Sequence, residues 1–228
     1  MTLSPRGKRR LAAAALAVGL GATAMLGLHS RAGRPLLARI SGCPAAKVSP
    51  AAALQARDEA IARTRGDGAA PARPALGFAL DEARLPDVQA WASAQGVTCV
   101  ESRAGTLLKC SDVPARSLPR PRDSHAVYTE IAFGFRADDG ALTAVTALRS
   151  DLSGDAAGQE VRALADALGA EMKAVPTARG DVTALGRARW ASASLTYRYS
   201  DYLLDVGATT LPSGVSIYER YTSGRTKT

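Results

Sequence analysis

From position 97 onward, apolar side chains recur at every second residue, and this period constrains the fold more than any other feature. Over 128–136, Ile131, Phe133 and Phe135 share one face. Over 190–199, Leu195, Tyr197 and Tyr199 alternate with Ser194, Thr196 and Arg198. Successive side chains of a strand point to opposite faces, so this alternation describes a sheet with one face on a core and the other polar. Strands of a parallel sheet, buried on both faces, would read as unbroken apolar runs, so the pattern predicts antiparallel pairing.

The turn residues divide the rest. Strands are predicted over 97–102 and 106–113 about Ala104-Gly105, and over 128–136 and 142–148 about Asp139-Gly140. Three more are predicted over 190–199, 202–211 and 215–221, the last two joined by Pro212-Ser213-Gly214. A helix with Pro86 in its first turn carries Val88, Trp91, Ala92 and Ala94 and stops at Gly96. A second, capped by Ser153 or Asp155, carries Val161, Leu164, Ala165 and Leu168 and ends at Gly169. Positions 87–96 and 160–169 align without gaps at five of ten residues, which reads either as a repeat or as convergence on one helix type.

The expected fold class is therefore α+β. Two helix-plus-antiparallel-strands units, 76–150 and 151–228, would form a two-layer helix-on-sheet domain behind an N-terminal hydrophobic helix. This element order resembles that of the β-lactamase inhibitor protein and of the small lipoproteins of outer-membrane assembly. The resemblance rests on element order and no motif, so it implies a fold and not a function.

The N-terminal segment sets the location. Arg6, Lys8, Arg9 and Arg10 precede an uncharged run over 11–28, which as a helix would span about 27 Å, enough to cross a bilayer core. Ala22-Thr23-Ala24 has the small-x-small pattern of a cleavage site, so 1–28 reads as a retained signal anchor or a cleaved signal peptide. Either reading exports the remainder. Ala- and Arg-rich composition suggests a bacterial source, so the expected localisation is the cell envelope. The protein would be anchored in the inner membrane facing the periplasm, or periplasmic or secreted if cleaved. A linker over 29–75 follows, with one helix between Ser49-Pro50 and Gly66 and a flexible spacer over 66–74.

Export permits disulfides. Cys99 and Cys110 are equidistant from Ala104-Gly105, which places them opposite one another on paired strands. Ile40-Ser41-Gly42-Cys43 resembles a bacterial lipobox, but Arg39 abuts it and the apolar run ends well before. Cys43 is therefore open between a free thiol, an intermolecular bond and lipidation.

Charge and motifs exclude several functions. Residues 1–75 hold 12 basic and 3 acidic residues, whereas 76–228 hold 17 and 18, so the net charge of +8 resides before the folded part. A nucleic-acid-binding domain would carry its own basic face, so no nucleic-acid partner is expected. No Gly-x-Ser-x-Gly, Walker loop, His-Glu-x-x-His or Cys-x-x-Cys occurs, so no catalytic residue, cofactor or metal ligand is assigned. His125 stands alone in a connection, and Asp138-Asp139-Gly140 reads as a turn. Asp201 and Asp205 read as turn-orienting or as partners of Arg198.

Two features remain as interaction candidates. One is the Pro- and Arg-rich connection over 114–122, with Arg116, Arg120 and Arg122. The other is the aromatic set Tyr197, Tyr199, Tyr202, Tyr218 and Tyr221, read as core edge or as an exposed binding face. The expected function is a non-enzymatic envelope module for binding or assembly, partnered by another envelope protein and by the membrane if the leader is retained. An enzyme with an unrecognised site is the alternative.

Overall fold

The computed structural model describes residues 50–120 and 126–225. The hydrophobic leader, Cys43, Arg122 and His125 lie outside the described residues. Two compact units divide the chain, Met1–Arg57 and Asp58–Thr228, and all eight strands belong to the second.

The described helices are α1 (Pro50–Thr64), α2 (Leu85–Gln95) and α3 (Gly154–Met172). The strands are β1 (Cys99–Ser102), β2 (Leu107–Pro114), β3 (Val127–Phe135), β4 (Leu142–Leu152), β5 (Thr177–Gly180), β6 (Ser192–Arg198), β7 (Tyr202–Leu211) and β8 (Gly214–Ser223). Every pairing is antiparallel, in the order β1-β2-β3-β4-β8-β7-β6-β5.

The expectation of two helix-plus-strands units is corrected by this topology. β4 and β8 pair from Ala144↔Thr222 to Leu152↔Val215, and that seam makes one eight-stranded sheet. One buried core crosses the seam, from Leu108 and Phe133 to Leu195 and Tyr197. The helices are also unequal: α3 buries Val161, Leu164, Leu168 and Met172 among six residues, whereas α2 buries only Val88 and Ala92. Two separate four-stranded halves would leave the inner edges of β4 and β8 as rows of unpaired N–H and C=O groups, and the seam satisfies both. The expected N-terminal hydrophobic helix falls outside the described residues. No helix among the described residues is long and apolar enough to cross a membrane.

Local signals explain most element ends. Gly96 closes α2 in the left-handed conformation (φ 65°), where its N–H reaches Ser93 O. Asp87 accepts from the Arg84 N–H (2.8 Å) at the start of that helix, and Ser153 caps α3 through the Ala156 N–H (3.2 Å). α3 runs past Gly169 because Met172, one turn on, is buried in the core. Bulk alone would place Trp190 in the core, but it lies outside it. It is 57% exposed, with φ 62°, ahead of β6. Trp91 packs edge-on against Phe78 (5.0 Å) and Phe133 (5.9 Å), and its Nε1 donates to Ser117 O (2.8 Å).

The stretch before α2, expected to be a loose spacer, is tied to the sheet. Asp201 Oδ1 accepts from the Ala70 N–H (2.9 Å), and the Tyr202 hydroxyl donates to Pro74 O. The Asp81 carboxylate joins Arg73, Arg136 (3.0 Å) and the Ser223 hydroxyl (2.7 Å).

The core holds a charged network at the seam. Arg149 of β4 and Glu219 of β8 are both buried, and Glu219 is only 1% exposed. Glu219 accepts from the hydroxyls of Tyr128 (3.2 Å) and Tyr221, with Arg149 Nη2 3.9 Å from its Oε1. Arg149 also pairs with Glu160 of α3, and its guanidinium lies 5.3 Å from the Tyr128 ring centroid. Burial works to lower the Arg149 pKa. The hydrogen bond to Glu160 and the charges of Glu160, Tyr128 and Glu219 outweigh it and hold the group above its ordinary value.

Arg149→Ala leaves Glu219 buried without its counter-charge and is expected to cost about 3–5 kcal/mol by urea unfolding, with most of the loss recovered in Arg149→Met/Glu219→Leu/Glu160→Gln. Cys99 and Cys110 are directly paired across β1 and β2, at disulfide distance with Cα atoms 4.0 Å apart. Mass mapping without reduction is expected to recover them as one linked peptide pair, and alkylation of both as free thiols would contradict the pairing.

Candidate functional site

The two faces of the sheet differ in what covers them. α2 and α3 lie on the face that carries Phe133, Arg149, Glu219 and Tyr197, as the Trp91–Phe133 and Arg149–Glu160 contacts show. Side chains alternate along every strand, so the partners of the buried positions emerge on the other side. Ala132, Ala144, Thr146, Leu148, Ser216, Tyr218 and Thr222 are half-buried there, and Arg220 is exposed. At one end the last turn of α1 is bonded to this face, where Arg198 donates to Thr64 O (3.0 Å). Among the described residues, no helix covers its centre.

Tyr218 marks that centre. It pairs with Gly207 across β7 and β8 and with Leu148 across the seam. Its ring lies flat on Gly207: a Cβ built there would stand 2.3 Å from Tyr218 Cε1. Glycine is needed at this position for the close approach, not for an unusual backbone angle. The Arg220 guanidinium sits 5.8 Å from the same ring. Beside them, Asp205 pairs with Arg220 in register and accepts from the Thr196 hydroxyl (2.9 Å). On the β5–β8 half of this face, Arg179, Arg198 and Arg220 stand against Asp205. The face is locally cationic although 76–228 is not.

The structure does not bring the five tyrosines together. Tyr197, Tyr202 and Tyr221 are buried in the core, and Tyr199 is half-buried with its hydroxyl donating to Met172 O (2.8 Å). Burial pushes the Tyr199 phenol up. Burial, with a smaller part from Tyr199, does the same at Tyr197, whose hydroxyl is buried without a partner among the described residues. Of the five, only Tyr218 lies on the face opposite α2 and α3. Sequence reasoning missed Gly207 and Arg220, for which the available signal was a glycine inside a strand pattern.

The arginine connection resolves differently. Arg116 is exposed, and Arg120 pairs with Glu171 of α3. That pair closes one side of a groove of 370 Å³ along α3, floored by Leu164 and Leu168 with Glu160 at its other end. Both carboxylates there are engaged by arginines. Asp201 and Asp205 also serve separate partners, Ala70 and Thr196. No three His, Cys, Asp or Glu side chains converge on a metal-sized space among the described residues.

Tyr197→Phe removes a buried hydroxyl that has no partner among the described residues. It is expected to stabilise the protein by about 1 kcal/mol in urea unfolding, and a loss of stability would show that the hydroxyl is satisfied.

No known family, curated protein or solved structure matches this chain, so the resemblance in element order carries no function to it.

Proposed function

We propose that the chain is a non-enzymatic binding module of the bacterial envelope whose sheet face opposite α2 and α3 docks an acidic surface of another envelope protein. The observation that carries this reading is the Tyr218–Arg220 pair, held in place over Gly207 at the centre of that face. Tyrosine and arginine are the residue types that concentrate binding energy at protein interfaces, and a ring already immobilised loses little entropy on docking. The excess of Arg179, Arg198 and Arg220 over Asp205 favours an acidic partner and sets its orientation rather than its affinity. Envelope location rests on the charged and apolar leader read from the sequence.

Photo-crosslinking of the full chain in its native envelope tests the reading. A benzoylphenylalanine at Thr146, on the face opposite α2 and α3, is expected to give one discrete adduct, and the same probe at Ala163 of α3 is expected to give none. Gly207→Ala, which lifts the Tyr218 ring, and Arg220→Glu are each expected to lower the Thr146 adduct by about tenfold or more. Adducts from Ala163 alone, or a Thr146 adduct indifferent to both substitutions, would overturn the proposal.

A further inference from the structure

We infer that the Cys99–Cys110 disulfide is a redox latch on one edge of the sheet: its reduction releases β1 while the other seven strands stay folded. Little else holds β1. Of its four residues only Cys99 packs against the core; Glu101 and Ser102 are exposed, and Val100 is 66% exposed. One exposed side-chain bond, Gln89 Nε2 to Glu101 Oε2 (3.3 Å), links it to α2.

The turn that joins β1 to β2 opposes the pairing. Arg103, Ala104 and Gly105 all have positive φ, at 53°, 51° and 81°. Arg103 and Ala104 carry a Cβ, so both are unfavourable in the left-handed region. The turn therefore adds strain to a four-residue ladder that is marginal without a cross-link. β2 is in the opposite position. Leu108, Cys110 and Val113 are buried, and β2 pairs with β3 from Leu107 to Pro114.

Access is one-sided. Cys110 is 0% exposed, whereas Cys99 lies half-buried on the outermost strand, so an external thiol meets the Cys99 sulfur first. A thiolate of a dithiol attacks Cys99 Sγ, the bond between the cysteines breaks, and Cys110 leaves as a thiolate that takes up a proton. The second thiol of the reductant, once deprotonated, attacks the mixed disulfide. Cys99 is released as a thiol and the reductant closes into its own disulfide. Two electrons pass from the dithiol to the cysteine pair. Without the cross-link, the strained turn and the exposed β1 favour separation.

Amide hydrogen exchange of the full chain, with and without dithiothreitol, tests the latch. Reduction is expected to speed exchange at the β1 amides, and at the β2 amides facing β1, by about tenfold or more, with β4, β7 and β8 unchanged. Cys99→Ser is expected to show the reduced pattern whether or not dithiothreitol is present. Unchanged protection of β1 after reduction, or in Cys99→Ser, would overturn the inference. So would loss of protection throughout β6–β8 on reduction, because the disulfide would then support the whole fold rather than one edge.

Discussion

The pairing of β4 with β8 is the constraint on which the rest of the structure depends. These strands are joined through α3 and the three strands β5, β6 and β7, so their contact is made late in the chain and holds both halves of the sheet. The buried network of Arg149, Glu219 and Glu160 with two tyrosines lies across this seam. A buried ion pair adds little to stability compared with apolar packing, but it penalises alternatives strongly. A seam shifted by one residue would move Glu219 to the opposite face and leave Arg149 unmatched. The network therefore specifies the register of the two central strands, while the apolar core around it supplies most of the favourable free energy.

Helix placement follows from that register. With Arg149 and Glu219 on one face, Glu160 brings α3 to the same side, and the other face is left to half-exposed threonines, alanines, Tyr218 and Arg220. One side of the sheet thus builds the core, and the other remains for contact with another surface. The same asymmetry divides the tyrosines: those on strand positions shared with Glu219 are core, and Tyr218, one residue away, is not.

Elements with a local signature were legible in the sequence. Seven strands and three helices follow from period-two and period-3.6 patterns with their caps and turns, and the pairing of Cys99 with Cys110 follows from symmetry about one turn. β5 was not legible, because Thr177-Ala178-Arg179-Gly180 is exposed throughout and carries no alternation. Trp190 misled because bulk suggests burial, whereas its place just before β6 puts it in solvent. The single sheet was hidden for a different reason. β4 and β8 each look like the end of a hairpin, and nothing local in either shows that they pair across some seventy residues. The site was partly legible: Tyr218 was among the aromatic candidates, but its partners Gly207 and Arg220 have meaning only once β7 and β8 are in register.

The described strands form one sheet with one core, closed at the β4–β8 seam. Equilibrium urea unfolding of the full chain carrying Trp190→Phe, followed in parallel by the fluorescence of Trp91 and by a fluorophore attached at Ser194 of β6, distinguishes one folding unit from two. Trp91 reports on the β1–β4 side and the label on the β5–β8 side. Coincident transitions with one midpoint are expected. Two separated midpoints would contradict it, because the halves would then fold independently and the seam would not hold the structure together.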